Sequence, residues 1–82
     1  MKVFDYIARI QRIHHAIDKG KTGTPSEFAA TLNISVSRLS RIIEELKLLG
    51  APIIYDRTLR TYRYESPFEV SFIVYLGAPR KN

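Results

Sequence analysis

Two groups of side chains have types and spacing that could do chemistry. The first is Ser37, Arg38, Ser40 and Arg41, preceded by Ser35. They fall in a stretch whose apolar residues, Leu39, Ile42, Ile43, Leu46 and Leu49, recur at helical spacing. Stepping around that helix at about 100° per residue sets the inward face between Leu39 and Leu46. Ser37, Arg41, Glu44 and Leu48 then point the opposite way, with Arg38 and Glu45 on one flank and Ser40 on the other. This chemistry suits the major groove of double-stranded DNA, where arginine offers a two-pronged fork to a guanine edge and serine donates or accepts. Glu44 and Glu45 would repel phosphates, so the expected contact zone is Ser37 to Arg41, in the first two turns of the helix. On a lone helix the same arginines are ordinary solvated surface. The surrounding order of elements is what favours contact with DNA.

The second group is Arg57, Arg60 and Arg63, in and beside a predicted hairpin. A basic hairpin can lie along a phosphate backbone or reach into a narrow, electronegative minor groove. Charges there also protect an edge strand from aggregation, so each arginine alone is an even choice between the two roles.

Other constellations point away from catalysis and metals. His14 and His15 are adjacent, which on a helix sets them about 100° apart and unable to share one ion well. His14 falls in line with an apolar stripe, where a partly buried, hydrogen-bonded histidine is the expectation. Tyr55, Tyr62 and Tyr64 could stack on bases, although in a short hairpin aromatic rings more often supply core area. No paired carboxylates, Ser-His-Asp set or phosphate loop is present, so neither an enzyme nor a cofactor is expected.

These residues sit in a chain of 82 residues, enough for one domain. It contains no cysteine, which excludes disulfides and thiolate metal sites. Thirteen Lys and Arg against eight Asp and Glu give a net charge of +5. That excess favours a polyanionic partner, because each neutralised phosphate releases condensed counterions. Apolar runs fall far short of the roughly 20 residues of a membrane-spanning helix. Asp5 and Arg9 interrupt any signal-peptide core. The expectation is a cytoplasmic protein with no membrane partner.

The elements that must position the two groups can be read in order. Residues 1–18 read as a helix with Val3, Ile7, Ile10, His14 and Ile17 inward, Tyr6 and Ile13 to one side and Phe4 to the other. Residues 19–23 carry two glycines and form a loop. Thr24-Pro25-Ser26-Glu27 is a capping box with proline at the first helical position, opening a short helix that carries Phe28, Ala29 and Leu32 inward and ends by Asn33. The adjoining small residues Ala29 and Ala30 would let two helices approach closely. Ser35 caps the next helix, over 36–49, and Gly50 stops it. Ile53-Ile54-Tyr55 and Thr61-Tyr62-Arg63-Tyr64 read as the strands of a hairpin with Asp56 to Arg60 at its tip. Phe68 to Leu76 reads as a further strand. The fold class predicted is α+β: a winged helix-turn-helix of three helices, a β-hairpin wing and an additional C-terminal strand. Residues 1–76 would form the single domain and 77–82 a frayed tail.

The stretch TPSEFAATLNISVSRLSRIIEELKLLGAPIIYDRTLRTYRY, Thr24 to Tyr64, resembles the winged helix-turn-helix domain at the N-terminus of many bacterial transcriptional regulators. The similarity is greatest to regulators that join this domain to a WYL ligand-sensing domain, and to the DeoR-like group. Its most telling pieces are LGAPIIYD and TYRY, which resemble the end of the recognition helix, the first wing strand and the wing's return. The resemblance implies DNA contact by Ser35, Ser37, Arg38, Ser40 and Arg41. It also shows a departure: the family's wing returns through a glycine before its aromatic residue, whereas Arg60-Thr61 precedes Tyr62 here. The expectation is a wing without a sensing domain of that kind, and no small-molecule ligand is evident.

Together these observations predict a sequence-specific binder of double-stranded DNA in transcriptional control. Helix 36–49 would read the major groove and the wing 53–64 would meet the backbone or minor groove. The alternatives are an architectural or phage-type DNA accessory and a winged-helix module for protein interaction. A homodimer is expected, because a two-fold pair reads two half-sites. Its contact would be the first helix, apolar on more than one side, or the strand over 68–76.

Overall fold

The computed structural model describes residues 2–71 and Gly77, and within them the helix boundaries follow from local chemistry. Helix α1 spans Lys2–Lys19, α2 Pro25–Leu32 and α3 Val36–Leu48. Thr24 caps α2 through the reciprocal pair expected from its sequence. The Glu27 amide donates to Thr24 Oγ1 at 3.3 Å, and the Thr24 amide donates to Glu27 Oε1 at 2.8 Å. Those bonds, the one from the Thr24 backbone foremost, hold the Glu27 carboxyl below its ordinary range. Gly23 is required beside the cap, since its φ is +76° and a Cβ there would sit 2.8 Å from Glu27 Oε1. Ser35 caps α3 by accepting from the Arg38 amide at 3.0 Å.

The two helices are joined by the shortest turn their ends allow. Asn33 takes a left-handed conformation, φ 58°, and its amide donates to the Ala30 carbonyl while the Ile34 amide donates to the Ala29 carbonyl. This is the Schellman closure, which satisfies the last carbonyls of α2 and reverses the chain straight into the Ser35 cap. The same closure ends α3. There the Gly50 amide donates to Lys47 and the Ala51 amide to Leu46, with Gly50 at φ 103°.

The core is one cluster contributed by the three helices and the start of the hairpin. Ile10, Ile13 and Ile17 come from α1, Phe28, Ala29 and Leu32 from α2, Leu39, Ile42 and Ile43 from α3, and Ala51 and Ile53 from the start of the hairpin. The hairpin pairs β1 (Ile53–Asp56) with β2 (Thr61–Tyr64) in antiparallel register, Ile53 opposite Tyr64 and Tyr55 opposite Tyr62. The described chain is therefore α+β, three helices followed by a two-stranded antiparallel hairpin.

Several expectations are corrected. The inward stripe of α1 is turned toward Ile13, which is 0% exposed, while Val3 is 47% exposed. The buried residues of α1 are Ile10, Ile13 and Ile17. Ile13 thus cannot serve as spare apolar surface for a dimer. Leu49, expected inward, is 82% exposed, because α3 has already passed the core by its last turn and its chain leaves through the Gly50 closure. Ala30 is exposed, so close helix approach rests on Ala29 alone. Asp56 belongs to β1 rather than the tip.

The strand expected over 68–76 is not formed by its described part, Phe68 to Ser71; positions 72–76 lie outside the described residues, as does the expected tail apart from Gly77. After Ser66-Pro67 the chain crosses to α1 instead of running beside β2. Phe68 meets the rings of Tyr64 and His14, centroids 5.2 and 6.4 Å away, so its apolar area is buried by side-chain packing without a ladder. Among the described residues no helix is long and apolar enough to cross a membrane.

Candidate nucleic-acid interface

The α2–α3 pair presents one face of α3 outward. Leu39, Ile42 and Ile43 are buried, whereas Ser37, Arg38, Ser40, Arg41 and Glu44 are all exposed. The rotation inferred from spacing is the rotation found, and Ser37, Arg41, Glu44 and Leu48 form the outward row. No acidic residue lies in the first turn of α3. Farther along, Glu44 accepts an ion pair from Lys47 at 3.3 Å. An exposed pair of this kind adds little stability, but it leaves the later turns without net positive charge. The stretch able to meet a polyanion is therefore Ser37 to Arg41. Ser35 also starts the helix: its hydroxyl oxygen accepts from the Arg38 amide, which fixes the first turn and leaves the O–H proton able to donate.

The hairpin is held to the helical body by a buried hydroxyl pair that sequence reading did not single out. Thr22 and Thr61 are 6% and 3% exposed, and their Oγ1 atoms lie 3.0 Å apart. The Thr22 amide donates to Thr61 Oγ1 at 3.0 Å, and the Tyr62 amide donates to Thr22 Oγ1 at 2.8 Å. The outer edge of β2 is thereby satisfied by the loop between α1 and α2. Tyr62 also packs on Phe28, centroids 6.0 Å apart, and on Tyr55 at 5.1 Å. The tyrosines thus supply core area: burial pushes the Tyr62 hydroxyl up from its usual pKa and the Tyr64 hydroxyl up to about 12. The second of these lies 2.7 Å from His14 Nδ1, the partly buried, hydrogen-bonded histidine expected from the sequence.

The three hairpin arginines have unequal freedom. Arg63 donates from Nε to Asp56 Oδ2 at 3.0 Å. Asp56 in turn accepts from the Leu59 amide at 2.9 Å, and these bonds, the Leu59 amide first, hold its carboxyl below its ordinary range. An acidic residue opening a turn and bonding a backbone amide ahead of it is a known turn signal, and it could have been read from Asp56. Arg57 and Arg60 are exposed at the tip and make no ion pair within the described residues. Arg60 stands at φ 55°, the left-handed region.

No family model matches the chain, and no curated protein or solved structure matches it.

Proposed function

We propose that this protein binds double-stranded DNA as a winged helix-turn-helix. In this reading α3 enters the major groove with Ser37, Ser40 and Arg41, and the β1–β2 hairpin lies along the backbone or minor groove with Arg57 and Arg60. The observation that carries the reading is the outward face of α3. It is polar and basic over its first two turns, lies opposite a fully buried Leu39, and is fixed in angle by the Asn33–Ser35 turn against α2. A short helix, tight turn and longer exposed helix is the arrangement that delivers side chains to base edges. The net charge of +5 supplies sequence-independent attraction to phosphate.

Selection of the purified protein on random duplexes tests this directly. A recovered motif should bind with an affinity that falls steeply with salt. Arg41→Ala should then cost about 1–3 kcal/mol on the motif and relax preference at one base position. Recovery of no motif, together with salt-insensitive binding, would defeat the reading.

A second reading is favoured by a different observation. Leu48 and Leu49 are 87% and 82% exposed, and Val3, Phe4 and Tyr6 remain about half exposed on the same body. Apolar side chains left open suit protein contact, including the homodimer expected from the sequence. Sedimentation equilibrium at micromolar concentration separates the cases, a monomer mass with and without DNA ending the dimer.

A further inference from the structure

A cleft separates the N-terminal half of α1 from the first turn of α3. Its walls are Lys2, Asp5, Tyr6, Arg9 and Arg38, and its volume is about 380 Å³. Three of these five side chains are cations and one is a carboxylate. Asp5 forms no ion pair with any of them: among the described residues the ion pairs are Glu44 with Lys47 and Asp56 with Arg63. Lys2, Arg9 and Arg38 thus line one small volume with a single carboxylate, Asp5, and none of the four forms an ion pair among the described residues. Three cations against one carboxylate leave the cleft with an excess of positive charge, which an added anion would offset.

The cleft adjoins the face of α3 already assigned to DNA. Arg38 lies on the flank of that helix, at its first turn, with its amide fixed to Ser35. Arg41 lies on the outward row. Arg9 is half-buried, whereas Lys2 is exposed. A duplex groove seated on Ser37 and Arg41 would bring its bordering sugar–phosphate strand alongside this flank, as helix-turn-helix docking requires.

Resting on the DNA-binding reading above, we infer that the Lys2–Arg9–Arg38 cleft is a backbone-phosphate site of double-stranded DNA. Arg38 is accordingly a phosphate contact rather than a reader of bases, and α1 takes part in binding through a flank that sequence spacing did not mark. Phosphate contacts fix register and carry no sequence information, whereas base contacts specify. The two arginines of α3, three residues apart, therefore differ in kind.

The test uses the full chain, a generic duplex and the selected motif, with affinity followed by fluorescence anisotropy across a salt series. Arg9→Ala and Arg38→Ala should each weaken binding to both duplexes by the same factor, roughly three- to tenfold at about 0.1 M salt. Each should also shrink the slope of log affinity against log salt by about one. Arg9→Lys, which keeps the charge, should retain the slope. Arg41→Ala should weaken the motif far more than the generic duplex. Replacing single phosphates with uncharged methylphosphonate supplies a second readout: at one position neutralisation should weaken the wild type and leave Arg9→Ala unaffected. A wild type that binds duplex while a folded Arg9→Ala keeps its affinity and slope overturns the cleft and leaves the DNA reading standing. A wild type with no salt-dependent duplex binding overturns both.

Discussion

Replacing Thr61 with valine is the sharpest test of how the hairpin is fixed. Valine keeps the branched shape, so no cavity opens at this 3%-exposed site, and what disappears is a hydroxyl. The Thr22 amide then loses the acceptor it has at 3.0 Å and stays buried without a partner. Leaving one buried donor unsatisfied costs about 1–3 kcal/mol. The Thr22 hydroxyl is spared that fate, because the Gly23 carbonyl accepts from it at 2.9 Å. Thr22→Val should cost a similar amount by orphaning the Tyr62 amide. The double variant should cost less than the sum, since the bond between the two hydroxyls is lost only once, with a coupling of about 0.5–1.5 kcal/mol. Urea unfolding followed by circular dichroism measures all three. The melting temperature should fall about 4–8 °C for each kcal/mol in a domain of this size. Thr58→Val, at an exposed turn position, is the control and should move stability by no more than about 0.5 kcal/mol. A Thr61→Val protein as stable as that control would refute the reasoning and mean that the hairpin is held by ring packing alone.

Three further outcomes are expected. Arg57→Ala and Arg60→Ala should each reduce the salt slope of duplex binding by about one, and Arg63→Ala by less; unchanged slopes in all three would detach the hairpin from DNA. Arg60→Gly should stabilise the fold by about 0.5–1 kcal/mol, the relief of a left-handed residue less the entropy of glycine, while weakening DNA binding; a loss of stability would show that the Arg60 side chain is held by contacts of its own. Stability should also fall at both ends of the pH scale. The folded chain binds fewer protons than the unfolded one at Glu27 and Asp56, so stability rises with pH through the carboxylate range and is lost as pH drops through the lowered folded values. Tyr64 works the other way, keeping its proton to about 12 when folded. The unfolded chain gives that proton up near about 10, so stability declines above that pH, and Tyr64→Phe should lessen this alkaline decline, leaving the part that comes from Tyr62.

What was legible in the sequence was whatever a few neighbouring residues decide. Thr24 and Glu27 close a capping box three residues long, Asn33 and Gly50 supply left-handed ends, and Ser35 caps α3. Each signal is complete within one turn of helix, and so was the rotation of α3 once Leu39, Ile42 and Ile43 were taken as its inward face. What was not legible depends on residues far apart. The Thr22–Thr61 pair spans 39 positions and uses residue types that carry no long-range mark. Whether Val3 or Ile13 faces the core depends on how the later elements pack on α1, and periodicity admits both. Alternation in Phe68 to Ser71 suggested a strand, but two half-buried side chains at Phe68 and Val70 satisfy that pattern equally when each packs separately.

The candidate site shows the same division. Residue type marked five arginines and could not rank them, whereas their surroundings do. Arg63 spends its Nε on a carboxylate that the Leu59 amide fixes in place, so a phosphate must compete with an existing bond. Arg60 forms no ion pair among the described residues and stands in a backbone conformation that an arginine adopts only at a cost of about 1–2 kcal/mol. A turn position that glycine would fill at lower energy, occupied instead by an exposed cation, is strain held where a charge is presented to solvent. Arg41 is exposed on the outward row of a helix whose angle is set at both ends, and Arg38, one turn back, faces a cleft with Arg9. Base reading should therefore rest on Arg41, and Arg38, Arg57 and Arg60 should supply attraction blind to sequence. A specificity profile that changes with Arg38→Ala and not with Arg41→Ala would invert that order, and with it the docking angle of α3.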